Sequence, residues 1–237
     1  MPAMPRTIAA ILRHGDYEQP EGVPSAFLPH PLTKTGREQA RLCAQSLLEF
    51  ARSKCLHLHP VVDTSRMLRA WETATIICKH LGEFTGEEFT VAETDALAER
   101  SLGAAANLTV DRIAEIIDRD PRYAALPDGW KATADFKLPL QGAESLREGG
   151  ERVAAHIEQT MNNLTNEVKG DSIKVFVGHG AAFRYAAVKL GVLTDEQAPG
   201  LSMFHCVPVY LERDSSGNWS QTGGEWKVRK KNLPAMD

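Results

Sequence analysis

The sequence predicts an α/β protein, a three-layer α/β/α sandwich with a mostly parallel central sheet. Short apolar segments of the kind that form buried strands alternate with longer segments whose apolar residues recur at helical spacing. Strands that are apolar on both faces indicate a parallel sheet with helices packed on either side. The chain has 237 residues, of which 43% are hydrophobic, so it can build one large core, and we expect a single domain over residues 1–237.

The N-terminal part of the chain predicts two strands, each followed by a helix. The run TIAAIL is continuously apolar, and the apolar face of the next helix includes Ala40, Cys43 and Leu47. Thr35 and Glu38 have the spacing of a capping box, which would start this helix at Thr35. The predicted elements are a strand at residues 7–12, a helix at 35–52, a strand at 59–63 and a helix at 67–81.

The same alternation returns in the C-terminal part of the chain. Ser145 and Glu148 predict another capping box, and the helix that they begin is followed by the apolar strand SIKVFV. The predicted elements are a helix at residues 110–118, a helix at 145–168, a strand at 172–177, a helix at 181–190 and a strand at 204–211.

Residues 100–142 are predicted to form a lid or substrate-specificity insertion. Between residues 120 and 142 the sequence DPRYAALPDGWKATADFKLPLQG is rich in Pro, Gly and aromatic residues and has no period, which is typical of a long excursion from a sheet. Long excursions of this kind often cover a site. We expect Trp130 and Phe136 to anchor the segment by packing.

The composition disfavours several classes of function. A formal net charge of -4 provides no basic field for nucleic acid or an anionic membrane. The N-terminus does not resemble a signal peptide, and no stretch approaches the ~20 apolar residues that span a bilayer, so we expect a cytoplasmic protein. The four cysteines lack CxxC spacing and are expected to be reduced thiols. Without a GxGxxG motif, and with His57 and His59 assigned to surface or packing roles, we expect neither a cofactor nor a metal.

Three segments place unusual side chains where predicted strands end. They are LRHG at residues 12–15, TSRMLRA at 64–70 and VGHG at 177–180. Two of them are an apolar strand followed by His-Gly, and the third carries arginines into a helix. Because ligands bind at the carboxyl ends of the strands in open α/β sheets, we expect these side chains to converge on one ligand.

A phosphate dianion is the ligand that suits these residue types. Arg13 and Arg69 can each offer a planar guanidinium group to phosphate oxygens. The imidazole of His14 is a nucleophile near neutral pH and can be oriented through its second nitrogen. Gly15 and Gly180 would let the backbone approach the ligand closely, and Gly180 leads into a helix whose N–H groups could face an anion.

These motifs together resemble the histidine phosphatase superfamily, the phosphoglycerate mutase-like group, in its branch 1. The similarity runs from about residue 7 to residue 211, and the order of the motifs is preserved. The resemblance implies a strand order similar to 2-1-3-4 with a final antiparallel edge. The motifs that carry it are LRHG, HPLTKTGREQA, TSRMLRAWETA, LAER, GAESL, VGHG and VPVYLE.

The resemblance implies a role for each residue of the site. His14 would attack phosphorus and become a phosphohistidine, while Arg13, Arg69 and His179 would hold the phosphoryl oxygens. Glu99, in LAER, would protonate the leaving oxygen and then take a proton from the attacking water. Arginines and imidazolium would stabilise the charge of the transition state, so the scheme requires no metal.

Four nearby residues are assigned other roles. Glu93 and Glu144 are alternative carboxylates to the one in LAER, although Glu144 with Ser145 is well explained as a helix entry. Alignment of TSRMLRA places the family arginine directly before the alanine, so Arg66 is assigned to the rim or the surface.

The first motif departs from that of mutases, which usually read RHGxSxWN. Here RHGDYEQP places Asp16 and Tyr17 after the glycine and Pro20 where an asparagine would fall, and Ala181 replaces a second asparagine. These departures favour a phosphatase. We therefore expect a metal-independent phosphoric monoester hydrolase of the histidine acid type that acts on a small phosphorylated metabolite.

Two alternative functions stay open. A phosphoglycerate mutase-type phosphotransferase would share every catalytic residue and would keep the phosphoryl group for return to the product. A phosphoprotein phosphatase or phosphate-dependent binding protein would act on protein partners and would need an open mouth. The expected partners are a small phosphorylated substrate and, in a homodimer, a second copy of the chain.

Overall fold

The computed structural model describes residues 5–24, 27–214 and 216–229. Within these ranges the chain forms a seven-stranded sheet and a separate two-stranded sheet. The strands are β1 (Thr7–Arg13), β2 (His57–Leu58), β3 (Val61–Ser65), β4 (Thr90–Thr94), β5 (Ser172–Gly178), β6 (Leu201–Ser202), β7 (Val209–Arg213), β8 (Trp219–Gly223) and β9 (Lys227–Val228). The helices are α1 (Lys34–Ser53), α2 (Leu68–Thr85), α3 (Val110–Arg119), α4 (Leu146–Glu167) and α5 (Gly180–Lys189).

The large sheet is mostly parallel, which confirms the predicted fold class. Its strand order is β4-β3-β5-β1-β7-β8, with β2 paired to the start of β5. The strands from β4 to β1 in this order are parallel, and β7 and β8 are antiparallel. The antiparallel edge agrees with the expectation. The order 2-1-3-4 is wrong, because β1, β3, β4 and β5, numbered in chain order, lie as 3-2-4-1.

Alternate residues of β1 face two different helical layers. Ile8, Ala10 and Leu12 pack with α1 and α2, whereas Ala9 and Ile11 pack with α4 and α5. Successive side chains of a strand point to opposite faces of the sheet. A continuous apolar run is therefore needed to fill both cores, which explains why this strand does not alternate with polar residues.

Of the two predicted capping boxes, the one at Thr35 is wrong and the one at Ser145 is confirmed. The N-cap of α1 is Thr33, whose side chain accepts a backbone N–H of the first turn. The Thr33 hydroxyl also donates to Oδ2 of Asp16 at 2.7 Å, a tertiary contact that fixes the start of the helix. At α4, Ser145 and Glu148 each accept the backbone N–H of the other.

Two predicted strands are displaced, and two strands at the edges of the sheet were not predicted. The strand expected at residues 59–63 begins only after Pro60, which has no N–H to pair. The strand expected at 204–211 begins only after Pro208, and Cys206 before it has a left-handed backbone with φ of 56°. The edge strands β4 and β8 carry mostly polar or partly exposed residues, so they lack the apolar run that marks a buried strand.

Residues 100–142 form an irregular segment with its own small core. The segment contains α3, and its buried side chains include Leu102, Ile113 and Trp130. Trp130 is 6% exposed and its ring centroid lies 6.1 Å from that of Phe136. The aromatic residues therefore anchor the segment, as predicted.

The cysteines are free thiols, as predicted. Cys43 and Cys78 lie on the buried faces of α1 and α2. Burial raises the pKa of the Cys78 thiol to about 11, so this thiol is protonated at neutral pH and behaves as a small apolar group. In the described ranges, no helix is both long enough and apolar enough to cross a bilayer.

Candidate active site

The carboxyl ends of three neighbouring parallel strands bring the predicted site together. β1 ends at Arg13, which is paired in register with Gly178 at the end of β5. His14 directly follows β1, His179 directly follows β5, and Arg69 lies in the first turn of α2, after β3. Residues that are far apart in the sequence thus meet at one edge of the sheet, where ligands bind in folds of this class.

His14 is positioned as a neutral nucleophile. The residue is 1% exposed, and its Nδ1 lies 2.7 Å from the carbonyl oxygen of Gly15. A carbonyl can only accept, so Nδ1 carries the proton and Nε2 the lone pair. Nε2 accepts a hydrogen bond from Nε of Arg69 at 3.1 Å. Burial and then the charge of Arg69 lower the pKa of His14 well below its ordinary value, which keeps the ring neutral.

His179 shares the same guanidinium group with His14. The centroids of the two imidazole rings are 5.2 Å apart. Nδ1 of His179 accepts from Nη2 of Arg69 at 3.2 Å, and Nε2 donates to Oγ of Ser65 at 3.0 Å. Burial, followed by the charges of Arg69 and Arg13, also lowers the pKa of His179. Arg69, which is fully buried, therefore orients both rings.

Arg13 and the two glycines lie at the strand ends, as the motifs predict. Arg13 is 9% exposed, and its Nη1 is 3.4 Å from the carbonyl oxygen of Met203. A Cβ at Gly180 would lie 3.3 Å from Cδ of Arg13, and a Cβ at Gly15 would lie 2.6 Å from the carbonyl oxygen of Gly36. Glycine is thus required at Gly15 for close packing of α1 on the strand end. Contact of either glycine with substrate stays a prediction.

Glu99 is the buried carboxylate beside this cluster. It is 5% exposed, and its Oε1 accepts the backbone N–H groups of Ala182 at 3.1 Å and Arg100 at 2.9 Å. Ala182 belongs to the first turn of α5, so a helix N-terminus fixes the carboxylate. The residue before His179 in space is therefore a positioned acid, and its role in proton transfer stays a prediction.

The alternative carboxylates and Arg66 lie outside the cluster. Glu144 is ion-paired with Arg152 at 2.7 Å, and Glu93 is exposed on β4. Arg66 is exposed and lies 3.4 Å from the carboxylate of Asp95, which places it on the surface as expected. These contacts give all three residues structural explanations.

The two histidines near β2 do not form part of a metal site in the structure. His57 is exposed, and Nδ1 of His59 accepts the backbone N–H of Val61 at 3.2 Å. Over the ranges that the structure describes, no group of three or more His, Cys, Asp or Glu side chains is arranged to hold a metal ion.

Sequence reasoning missed three residues that contact the cluster. Tyr17, which is 5% exposed, meets His14 edge-on with ring centroids 5.1 Å apart and lies 4.7 Å under the guanidinium carbon of Arg69. Thr73 donates to the carbonyl oxygen of Arg69 at 2.7 Å, and its place one turn after that arginine is a signal that could have identified it. His205 contacts the backbone of His14 and has no comparable signal in the sequence.

The whole site is rich in buried positive charge. Arg100 and Arg184, 6% and 2% exposed, lie near enough to Glu99 for its charge to act on both. Burial lowers the pKa of each of these guanidinium groups, and the charge of Glu99 opposes the shift. With Arg13 and Arg69, the site holds four buried arginines beside one buried carboxylate. Such an arrangement can bind a tetrahedral dianion and attack its central atom.

Sequence comparison identifies relatives over most of the chain. A sequence model of the histidine phosphatase superfamily (branch 1) matches residues 10–222. The 2,3-bisphosphoglycerate-dependent phosphoglycerate mutase 2 of Gloeobacter violaceus is 26% identical, over 81% of this chain and 78% of its own. Phosphoglycerate mutase 3 of Saccharomyces cerevisiae is 24% identical, over 86% of each chain.

Solved structures share the same fold. A mycobacterial glucosyl-3-phosphoglycerate phosphatase superposes with a TM-score of 0.69 at 22% identity, covering 94% of this chain and 100% of that one. The phosphoglycerate mutase of Bacillus anthracis also has a TM-score of 0.69, at 16% identity and 93% coverage of both chains. The structural likeness shows the fold, and the sequence model, which matches most of the chain, shows the family. The protein belongs to the histidine phosphatase superfamily, branch 1.

Proposed function

We propose that this protein hydrolyses the phosphomonoester of a small metabolite through a phosphohistidine at His14. The observation that carries the proposal is the position of Arg69, which donates to Nε2 of His14 at 3.1 Å and to His179 at 3.2 Å. One guanidinium group that orients both imidazoles can hold a phosphoryl group between them. Arg13 and Glu99 would complete the catalytic set, and membership of the superfamily supports the chemistry.

The reaction would run in two displacements at phosphorus. The lone pair on Nε2 of His14 forms the N–P bond, and the P–O bond of the ester breaks with its electron pair remaining on oxygen. Glu99, protonated at that moment, gives its proton to the leaving oxygen. The Glu99 carboxylate then takes a proton from water, whose oxygen displaces Nε2 from phosphorus. Inorganic phosphate leaves, and both His14 and Glu99 return to their starting states.

Positive charge on the protein would stabilise the transition state. Phosphoryl transfer spreads negative charge over three equatorial oxygens, and Arg13 and Arg69 lie where they could contact them. We infer a metal-independent reaction of the histidine acid type. EDTA should therefore leave phosphate release unchanged, whereas a loss that a single divalent metal restores would contradict this part of the proposal.

Two substitutions in the motifs favour hydrolysis over transfer to a second substrate. Pro20 and Ala181 stand where mutases carry asparagines, and Ala181 is 3% exposed at the start of α5, so it offers no polar group to a substrate. A mutase-type phosphotransferase is the second candidate, and the names of the curated relatives favour it. It would use the same His14 and would hold the phosphoryl group until the product receives it.

A small substrate is favoured by the segment at residues 100–142. Its own core, with Trp130 buried, makes it a packed structure that can cover a small ligand, as a lid would. A phosphoprotein phosphatase would instead need an open mouth. A cytoplasmic location and a homodimer stay predictions.

The test is to trap the phosphoenzyme. The protein is mixed with a panel of phosphorylated metabolites and phosphopeptides, quenched in base and digested, and its peptides are analysed by mass spectrometry. We expect phosphate on His14 that is stable in base and labile in acid, because phosphohistidine is a phosphoramidate, together with release of inorganic phosphate from metabolites. Phosphate on His14 that passes to a second metabolite in preference to water would identify a mutase. Turnover without phosphate on His14 would refute the mechanism.

A further inference from the structure

A third histidine lies against the nucleophile and is outside the set that the motifs assigned. His205 is in the loop between β6 and β7, and its ring centroid lies 5.5 Å from that of His14. The corresponding distance for His179 is 5.2 Å, so two imidazoles flank His14 at nearly the same distance. The loop is tied to the end of β1, because the N–H of Cys206 donates to the carbonyl oxygen of Arg13 at 2.9 Å.

A hydrogen bond to the backbone decides which nitrogen of His205 remains for a ligand. Nδ1 of His205 lies 2.7 Å from the carbonyl oxygen of His14. That oxygen can only accept, so Nδ1 carries the proton and Nε2 carries the lone pair. The two nitrogens lie on different sides of the ring, so Nε2 points away from the backbone of His14. The residue is only partly buried, which leaves it accessible from the mouth of the site.

The charges around His205 come from three parts of the chain. Burial is the largest influence and Arg13, at the end of β1, is the next; together they lower the pKa of His205 to about 4. Asp16, after β1, opposes this shift, as does the hydrogen bond to His14, and Lys227 on β9 adds to it. His205 is therefore neutral at pH 7 before a ligand binds. A dianion held at His14 would favour the protonated ring.

We propose that His205 is a third imidazole of the phosphoryl-binding site and that its Nε2 donates a hydrogen bond to an oxygen of the bound phosphoryl group. The inference rests on the proposed function and adds a residue to that site. Nε2 must first gain a proton, which comes from solvent when the dianion binds and returns to solvent when phosphate leaves. His205 would bind charge, whereas Glu99 would transfer the proton of the reaction.

Tungstate is the probe for the test, because this tetrahedral dianion does not titrate near neutral pH. Calorimetry at about pH 7, in two buffers with different ionisation enthalpies, gives the number of protons that bind with the anion. His205→Asn keeps a side-chain N–H for the carbonyl oxygen of His14 but has no counterpart of Nε2. We expect this variant to bind tungstate about 10- to 100-fold more weakly than the wild type. It should also take up about one proton fewer per anion.

His57→Asn is the matched control, because His57 is exposed on β2, away from the site. It should bind tungstate like the wild type. If His205→Asn does not fold, His205→Gln replaces it in the test, and it should lose the same proton uptake with a smaller loss of affinity, because its amide can lie near the position of Nε2. Wild-type affinity and proton uptake in the variant used would overturn the inference and leave His205 as a support for the backbone of His14.

Failure of this inference can be told apart from failure of the proposed function. A wild-type protein that binds tungstate and hydrolyses phosphomonoesters, compared with a His205→Asn variant identical in both respects, would refute only the role of His205. A wild-type protein that neither binds the anion nor hydrolyses phosphomonoesters would refute the proposed function and this inference with it.

Discussion

The central sheet carries two clusters of buried charged residues, and one of them balances its charges within itself. The Asp63 cluster consists of Asp63 on β3, Lys174 on β5 and His156 on α4. Nζ of Lys174 lies 2.6 Å from Oδ1 of Asp63, and Nε2 of His156 lies 2.9 Å from Oδ2. Lys174, 3% exposed, also donates to the carbonyl oxygen of Val61 at 2.7 Å. Such pairing is what allows charged groups to be buried in a folded core.

The active-site cluster is built in the opposite way. Its imidazoles, His14 and His179, face the guanidinium group of Arg69 rather than a carboxylate. The positive charge of Arg69 lowers the pKa of both histidines and would be relieved by a bound anion. The difference indicates that the Asp63 cluster serves the fold and the active-site cluster serves a ligand. Substitutions in the two clusters should therefore separate stability from activity.

The largest contrast is expected between two histidine substitutions. His14→Ala removes the nucleophile and should reduce phosphate release by at least about 10⁴-fold without loss of stability. His156→Ala should lower the free energy of unfolding and leave the activity of the folded protein nearly unchanged. Phosphate-release assays and urea unfolding measure the two effects. Substantial turnover by His14→Ala would show that the active-site cluster is not catalytic.

A smaller loss is expected when Arg69 keeps its charge but loses its shape. Arg69→Lys has one ammonium group, which cannot hold His14 and His179 through separate N–H groups as the guanidinium group does. We expect kcat/KM to fall by about 10²- to 10³-fold, similar to the loss of a donor to a transition-state anion. Arg66→Lys, an exposed arginine in the same segment, is the matched control and should behave like the wild type. Equal kinetics of the two variants would argue against a phosphoryl contact at Arg69.

Glu99→Gln should give a loss that depends on the leaving group. The amide oxygen can still accept the N–H of Ala182, so the local structure is retained, but the amide cannot deliver a proton. Turnover of an alkyl phosphate should fall by about 10²-fold, whereas p-nitrophenyl phosphate, whose leaving group needs little protonation, should be affected much less. Steady-state assays of both substrates test this. An equal loss on both would remove Glu99 from the role of general acid.

Lys174→Met tests the Asp63 cluster and should change stability alone. It leaves the Asp63 carboxylate without its closest cation, and the free energy of unfolding at neutral pH should fall by about 3 kcal/mol. Burial alone would raise the pKa of Asp63, but His156 and Lys174 together hold it below its ordinary value of 3.8. Their stabilisation is therefore present above that pH and is lost as the pH falls through the folded-state pKa.

Urea unfolding at several pH values measures this effect. The difference between wild type and Lys174→Met should shrink in acid, and kcat should be the same for both. A loss of kcat in the folded variant would mean that the two clusters are coupled.

The sequence predicts those parts of the molecule that local pattern determines. Arg13, His14, Arg69 and His179 could be predicted together because each follows an apolar strand, and parallel strands end at the same edge of a sheet. The helix start at Ser145 could be predicted because both partners of its capping box are local in sequence.

Other features depend on contacts that no local pattern contains. Thr33 caps α1 in place of Thr35 partly because its hydroxyl also donates to Asp16, a residue of a different segment. Tyr17 and His205 reach His14 through the paths of their loops, and loops carry no hydrophobic period. The edge strands lack the apolar run by which buried strands are recognised. Tertiary placement, rather than propensity, decides all of these features.

The smallest expected effect is on the acid side of the pH profile. An ordinary histidine nucleophile would gain a proton as the pH falls through 6.5, but the lowered pKa values of His14 and His179 keep both rings neutral there. Since kcat/KM reports the ionisation of the free enzyme, it should change by less than about twofold between pH ~7 and pH ~6. An aryl phosphate whose second ionisation lies below this range prevents the substrate from adding its own titration. A halving of kcat/KM near pH 6.5 would show that burial and Arg69 do not control the charge of His14, and the contrast between the two clusters would lose its basis.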